Sequence, residues 1–217
     1  MTETAPARRG FLRRFWRRFR TPIVLLPLLA GLVLVAFQGA KQLWAEGPDP
    51  HAVPPEVTCW DDQTRPSGEC GQPDGLPGLQ WVFPSFQPDQ DECTQVQLPP
   101  RKLARPLEYR CPAEFEGQQV TLTYSRRTST EAGRKFVAKL YAGVTPSQVA
   151  DGILAYRDPA VRKGDLYETT VIYTDVPFSV TVGAPDPELR DAAEDELVSY
   201  RDALSVSLGY AADQWTS

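Results

Sequence analysis

Residues 119–124 read Gln-Val-Thr-Leu-Thr-Tyr, in which apolar and polar side chains alternate. This period of two directs successive side chains to opposite faces of a strand, so the segment predicts a half-buried β-strand. Tyr167–Tyr173 and Phe178–Val182 alternate in the same way, and the Thr-Asp-Val-Pro segment between them indicates a hairpin. A further strand is predicted at Ile153–Tyr156.

Two stretches have the pattern of amphipathic helices. One is expected to begin at a cap on Thr130 and to end near Tyr141, and Thr145-Pro146 indicates another short helix start. The last helix is expected to begin at Asp186 as cap with Pro187 in its first turn. Its apolar residues recur at spacings of three and four: Leu189, Ala193, Leu197, Tyr200 and Leu204. This order of elements predicts an α+β domain, an antiparallel sheet with helices on one face.

The N-terminal part of the chain has a different composition. Residues 23–37 contain no polar side chain, and with the continuation to residue 40 they would span about 27 Å as a helix, close to the thickness of a bilayer core. Arginines are concentrated before this stretch, which places the N-terminus in the cytoplasm by the positive-inside rule. We therefore predict a cytoplasmic Arg-rich segment at 1–20, a single transmembrane helix at 21–43, a Pro-rich linker at 44–57 and an extracytoplasmic domain at 58–217.

The basic N-terminal segment allows more than one interpretation. Phe11, Phe15 and Phe19 share one helical stripe opposite the arginines, which favours an interfacial helix that binds membrane lipid. Residues 8–13 also resemble a twin-arginine export signal, although Ala7 departs from that pattern. Cleavage after residue 45 would need a small residue where Leu43 stands. We favour a retained signal-anchor.

Net charge separates the two parts of the chain. Residues 1–45 contain eight Lys or Arg and one Glu, giving +7, so the remainder of a chain of net charge −5 has −12. An acidic outer domain argues against nucleic acid as a partner, because phosphate binding depends on Lys and Arg.

All four cysteines follow the apolar segment, in what would be an oxidising compartment. Two disulfides have three possible connectivities, of which Cys59–Cys70 and Cys93–Cys111 are favoured because each closes a local loop. No CxxC pair occurs, and the one histidine, His51, lies in the linker. We therefore expect neither a metal site nor a cofactor.

The cysteine region is rich in aromatic residues. Leu79–Phe83 is predicted to be a strand from its aromatic and β-branched content. Four rings could form a stacking platform for a saccharide, or they could fill the core of a small disulfide domain. These four candidate binding residues are Trp60, Trp81, Phe83 and Phe86.

Catalytic motifs are scarce in this sequence. It contains no GxSxG, no SxxK and no phosphate-binding glycine loop, and no histidine outside the linker to serve as a base. A glycosidase needs only two carboxylates, and five acidic residues of the cysteine region are available. They are Asp61, Asp62, Asp89, Asp91 and Glu92. The last three could also hold calcium, although the glycine of an EF-hand loop is missing.

Several short motifs carry a resemblance to known proteins. They are CW at 59–60, GLQWVFPSF at 78–86, YRC at 109–111, YSRR at 124–127 and PFSVTVGAP at 177–185. Over residues 58–205 the chain resembles single-pass, membrane-anchored ectodomains of actinobacteria that have no assigned activity. The terminal hairpin and helix are also similar to PsbP-like domains, which are mostly non-enzymatic. The resemblance implies an architecture and a cell-envelope location, and nothing catalytic.

From these patterns we expect a membrane-tethered, extracytoplasmic interaction module that is not an enzyme. Its expected partners are membrane lipid through the N-terminal segment and an envelope protein or cell-wall ligand through the outer domain. The alternatives are a carboxylate-dependent hydrolase of envelope polysaccharide and a structural subunit of a membrane complex.

Overall fold

The alternating segment 119–124 lies within the strand Gln118–Arg126, inside a seven-stranded antiparallel sheet. A computed structural model describes residues 53–90, 92–97, 107–161 and 165–216 of the chain. The strands are β1 Glu56–Thr58, β2 Thr64–Pro66, β3 Thr94–Gln95, β4 Leu107–Phe115, β5 Gln118–Arg126, β6 Ser147–Ala150, β7 Ile153–Arg157, β8 Tyr167–Tyr173 and β9 Phe178–Ala184. The helices are α1 Gly75–Val82, α2 Thr130–Leu140, α3 Pro187–Leu197 and α4 Ala203–Leu208, followed by a 3-10 helix at Ala212–Thr216.

The large sheet has the order β3-β4-β5-β9-β8-β7-β6, and β1 pairs with β2 in a separate two-stranded sheet. Every neighbouring pair is antiparallel. The predicted strands at 119–124, 153–156, 167–173 and 178–182 are all confirmed, and the last two form the expected hairpin.

One face of the sheet is apolar and carries the main core. Tyr124 lies opposite Val180, which in turn lies opposite Val171, so the three side chains share this face. Helix α3 packs over β8 and β9 through the buried side chains of Leu189 and Ala193. The α+β class, the antiparallel sheet and a helical layer on one face are therefore confirmed.

Helix α2 lies on the opposite face of the sheet. Its buried Val137 and Tyr141 cluster with Ile172, whereas the flanking residues Val171 and Tyr173 belong to the main core. Because successive residues of a strand point to opposite faces, α2 covers the side that α3 does not. The structure thus adds a second, smaller apolar cluster to the predicted arrangement.

Aromatic packing attaches α1 to the apolar face, where the sequence indicated a strand. The strand prediction at Leu79–Phe83 is wrong, because Gly75–Val82 is a helix that begins at the cap residue Asp74. Leu79 and Val82, three positions apart, are both buried against the sheet, so helical spacing serves this contact better than alternation.

Two other helix predictions need correction. The last helix ends at Leu197 rather than continuing to Leu204, which is 61% exposed in the separate helix α4. The interruption lets the backbone N–H of Arg201 donate to the carbonyl of Val82 at 3.0 Å. No helix begins at Thr145-Pro146; strand β6 follows there instead.

The predicted helix starts are otherwise close to the structure. Asp186 caps α3 by accepting from the N–H of Leu189 at 2.8 Å, with Pro187 in the first turn as expected. Helix α2 is capped by Ser129, one residue before the predicted Thr130, and its hydroxyl accepts from the N–H of Ala132. The Ser129 hydroxyl, one residue before the predicted cap, thus satisfies one of the free backbone N–H groups in the first turn of α2.

Both favoured disulfides, Cys59–Cys70 and Cys93–Cys111, are confirmed. The first belongs to a small cluster with Val57 and Tyr210, so the predicted linker gives way to folded chain before residue 58. This cluster joins the two ends of the domain, since the N–H of Trp60 donates to the carbonyl of Gly209 at 2.9 Å.

Within the residues that the structure describes, no helix is both long enough and apolar enough to cross a membrane. The predicted cytoplasmic segment 1–20 and transmembrane helix 21–43 lie outside those residues, and so does most of the predicted linker.

The glycine that ends α4 tests how firmly the two ends of the domain are joined. Gly209 has φ +77°, and a Cβ at this position would lie 2.1 Å from the carbonyl oxygen of Gly71. We expect Gly209→Ala to lower the free energy of unfolding by at least about 3 kcal/mol, from left-handed strain together with overpacking.

Gly143→Ala is the matched control, because Gly143 has φ +88° and open space around its Cα. It should cost only the backbone strain, about 1–2 kcal/mol. Urea unfolding of the oxidised protein measures both values, and equal losses would contradict the close contact at Gly209.

Candidate functional site

Helix α2 covers only part of its face of the seven-stranded sheet. On the open part of that face, side chains lie in rows across the strands. Arg110 on β4 pairs with Thr123 on β5, Thr123 with Thr181 on β9, and Thr181 with Thr170 on β8. Directly opposite residues share a face, so these four side chains form one continuous polar row. A second row contains Thr121, Gly183 and Glu168.

A groove of about 260 Å³ lies over these two rows, and we call it the hydroxyl groove. Its lining residues are Arg110, Thr121, Thr123, Leu166, Glu168, Thr181 and Gly183. Strands β5, β9 and β8 are interior, so their backbone donors and acceptors already pair with neighbours on both sides. A molecule in the groove would therefore be recognised through side chains, chiefly the three threonine hydroxyls.

A chain of hydroxyl groups runs from this groove to a buried tyrosine. The Oγ1 atoms of Thr181 and Thr170 are 2.7 Å apart, and Thr170 Oγ1 lies 2.8 Å from the phenol oxygen of Tyr141. Thr170 is buried beneath α2 and Tyr141 is the buried residue at the C-terminal end of α2, whereas Thr181 lines the groove. The chain thus couples a groove hydroxyl to the α2 interface.

A buried arginine fixes α2 at the end of the groove. Arg127 Nε and Nη2 donate to Ser179 Oγ at 3.2 and 2.9 Å, and the guanidinium lies 4.9 Å from the ring centre of Phe136. Gly133 leaves room for the Arg127 side chain, since a Cβ there would lie 2.5 Å from Arg127 Cδ. The helix therefore closes over the charged group, in addition to packing on β8 through Val137.

A second cleft, of about 730 Å³, lies beside α2. Its lining residues are Thr130, Glu131, Arg134, Lys135, Ala138, Tyr156, Thr174 and Asp175. Glu131 and Lys135 form an ion pair one helical turn apart, and this cation lowers the pKa of the Glu131 carboxyl. The cleft is wide and its charged side chains are of both signs. Its lining therefore indicates a class of ligand less clearly than that of the hydroxyl groove.

The four predicted aromatic residues do not form one platform. Phe83 and Phe86 are 0% and 1% exposed, and their rings pack on Tyr124 at centroid distances of 5.4 and 4.8 Å. A ring without exposed area cannot stack on a sugar, so the platform interpretation is wrong for these two residues, and the core alternative describes them.

The two tryptophans are half-buried and lie in different settings. Trp81 carries the guanidinium of Arg201, 4.4 Å from its ring centre, and Arg201 Nε donates to the Trp81 carbonyl at 2.8 Å. The Trp60 indole N–H donates to the carbonyl of Cys70 at 3.1 Å, beside the first disulfide. Ligand binding by either ring stays a prediction.

The predicted acidic residues that the structure describes lie at or near the surface. Asp61 is half-buried and accepts from Arg65 at 2.6 Å, while Asp62, Asp89 and Glu92 are exposed. Asp91 lies outside the described residues. In the described part of the chain, no three His, Cys, Asp or Glu side chains come together as metal ligands.

One buried carboxyl outside the groove has a shifted pKa. Burial raises the pKa of Glu194 on α3, although Arg157 opposes the shift through contacts of 2.8 and 2.9 Å to the two carboxylate oxygens. Arg157 also lies 3.7 Å from Asp191. A shifted pKa can mark an active site, but this pair connects α3 to β7 on the opposite face of the sheet from the groove.

The hydroxyl groove was not among the sites predicted from the sequence. The sequence pattern that could have indicated it is the set of polar residues that alternate with the apolar ones in the predicted strands. This set includes Thr121, Thr123, Thr170 and Thr181. Threonine is common on the solvent side of strands, so only the register shows that these residues meet.

Comparisons with protein-family models, with curated proteins and with solved structures found no match to this chain.

The Arg127–Ser179 contact is expected to stabilise the scaffold of the groove. Replacing Ser179 by Ala removes an acceptor from a guanidinium that is 1% exposed, so we expect a loss of about 1.5–3 kcal/mol in the free energy of unfolding. Ser147→Ala is the control, because Ser147 also accepts from an arginine, Arg157, but at an exposed site. It should cost less than about 0.5 kcal/mol. Similar losses in both variants, measured by urea unfolding, would argue against the anchoring role.

Proposed function

We propose that the chain is a membrane-tethered, extracytoplasmic binding module of the bacterial cell envelope, and that it holds a polar envelope ligand in the hydroxyl groove without chemical change. The observation that carries this proposal is the groove itself. Three threonine hydroxyls, one arginine and one glutamate line it, on strands whose backbone groups are already paired. Such a surface can form many directional hydrogen bonds with a polar molecule.

The composition of the groove favours binding over hydrolysis. Hydrolysis of a glycosidic bond by the usual route requires two carboxyl groups on opposite sides of the bond. Among the described residues that line the groove Glu168 is the one carboxylate, and Asp61, Asp62, Asp89 and Glu92 do not line it. The hydrolase alternative therefore has no pair of described carboxylates to support it in this groove.

The sequence supports the proposed location. The apolar stretch with arginines before it would hold the domain at the outer surface of the membrane, while the N-terminal segment would contact anionic lipid on the cytoplasmic side. Two disulfides are typical of proteins exposed to an oxidising compartment.

Retention on envelope material tests the binding function. We expect the full-length oxidised protein, kept in mild detergent, to be retained by washed envelope material from its host. The double variant Thr121→Val and Thr123→Val keeps side-chain shape but removes two groove hydroxyls, so most of this retention should be lost. Thr58→Val removes an exposed hydroxyl from β1, outside the groove, and should be retained like the wild type.

Equal retention of all three proteins would contradict the claim that the ligand binds in the hydroxyl groove. No retention of the wild type would argue against a cell-wall ligand altogether.

Labelling of the outer domain tests the location. Lys135 and Lys139 are exposed on α2, so a membrane-impermeant amine reagent should modify both in host cells whose wall has been removed and whose plasma membrane is intact. Mass spectrometry of the tryptic peptides gives the result. Modification only after the membrane is broken would show that the domain faces the cytoplasm, against the proposal.

A further inference from the structure

We propose that the hydroxyl groove is selective for an acidic sugar unit, whose carboxylate lies above Thr123 between the guanidinium of Arg110 and the hydroxyl of Thr181. This inference rests on the proposed function, because it names the class of ligand that the same groove would take. It follows from the order of the side chains along one row, from the direction of the hydroxyl chain and from the size of the groove.

The row places a cation and a hydroxyl at the right separation for one carboxylate. Arg110 and Thr181 are two strands apart, so their backbone positions are separated by roughly 10 Å, with Thr123 between them. An extended arginine side chain covers much of that distance along the sheet surface. A carboxylate above Thr123 can therefore accept from the guanidinium on one side and from Thr181 on the other.

Arg110 is available for this role. Its side chain is exposed, and its guanidinium forms no hydrogen bond or ion pair with the other residues that the structure describes. A guanidinium binds a carboxylate through two parallel hydrogen bonds, which fixes orientation as well as charge. It is the one cation among the described residues that line the groove, and within this set an anionic ligand group has a single preferred position.

The hydroxyl chain can direct a proton toward this position. Thr170 has one hydroxyl proton and lies within hydrogen-bond distance of both Tyr141 and Thr181, so it can donate to one of them while it accepts from the other. A phenol is a more acidic donor than an aliphatic hydroxyl, which favours donation from Tyr141 to Thr170 and from Thr170 to Thr181. The proton of Thr181 is then left to donate into the groove. Tyr141 is thus a positioning residue that never touches the ligand.

The second row suits the hydroxyl groups of a ring. Thr121 and Glu168 lie on either side of Gly183, which has no side chain to fill the space between them. A Cβ at Gly183 would lie 3.3 Å from Leu166 Cδ1. The volume of about 260 Å³ falls below the roughly 300–1,000 Å³ of sites that enclose a drug-sized molecule, which fits one ring-sized unit of a longer polymer.

Other ligand classes fit the groove less well. A peptide that extends a sheet needs the open backbone of an edge strand, whereas the groove lies over interior strands. An apolar ligand would leave the threonine hydroxyls without partners on desolvation. A neutral sugar would leave Arg110 without a counter-ion, and a polyanion would be repelled by Glu168 at the far end of the groove.

The test compares two single-ring probes, one with a carboxylate and one without. Methyl α-D-galacturonoside and its methyl ester have the same ring and hydroxyls, but in the ester the carboxylate is replaced by an uncharged methyl ester group. We expect calorimetry with the full-length oxidised protein to show the acid binding at least about tenfold more tightly than the ester, the size of one charge-assisted contact.

Variants connect this preference to the named residues. Arg110→Gln should remove most of the difference between the two probes, while Arg134→Gln, which removes a charge from the other cleft, should leave it unchanged. Tyr141→Phe should weaken binding of the acid as Thr181→Val does, although Tyr141 lies outside the groove. Tyr156→Phe is its control. The Tyr156 ring packs on the Tyr141 ring at a centroid distance of 5.6 Å, and this substitution removes a phenol hydroxyl that is not part of the hydroxyl chain.

The outcomes separate this inference from the proposed function. Equal binding of acid and ester, a preference unaffected by Arg110→Gln, or tighter binding of galactose 6-phosphate than of the acid would each overturn the selectivity. Failure of both probes to bind, with the wild type still retained on envelope material, would also overturn it and leave the binding module standing. Loss of both retention and probe binding would contradict the two proposals together.

Discussion

The packing of Phe83 and Phe86 on Tyr124 is the contact on which the rest of the structure depends. It closes the apolar face of β5 beneath α1 and brings Tyr173 into the same aromatic cluster, 6.1 Å from the Phe83 ring. A shift of one residue in β5 would turn Tyr124 out of this cluster and direct threonines into the core. The same contact therefore fixes which side chains line the groove on the other face.

Much of the fold could be predicted from local patterns. The strands at 153–156, 167–173 and 178–182 were found because alternation and turn residues act over a few positions. The start of α3 was found for the same reason, since Asp186 and Pro187 satisfy the helix N-terminus without help from elsewhere. Both disulfides followed from short separations along the chain, which keep the paired cysteines close in any conformation.

The errors occur where distant residues decide the local structure. Leu79–Phe83 has the composition of a strand, but it is helical because its apolar side chains meet Tyr124 and Tyr173 from far along the chain. The break after Leu197 depends on Arg201, which bonds to the end of α1 about 120 positions earlier in the sequence. The candidate site failed for a related reason. Aromatic residues are common in binding sites, but two of the four predicted ones are needed for the core. The groove residues become neighbours only through the strand register.

The apolar face of the sheet carries the main core, and the polar face carries the proposed binding surface. The chemistry of the polar face follows from this difference. Thr170 and Ser179 are buried beneath α2 and Arg127, where unpaired charges would be costly and hydroxyls can be satisfied by one another or by the guanidinium. Farther along the same rows the cover ends, and hydroxyls of the same type line an open groove with Arg110 at its edge. The order within the buried part thus extends into the exposed part, because Thr181 belongs to both. A binding surface built in this way is held in place by the core, while its selectivity comes from a few side chains that contribute little to the core.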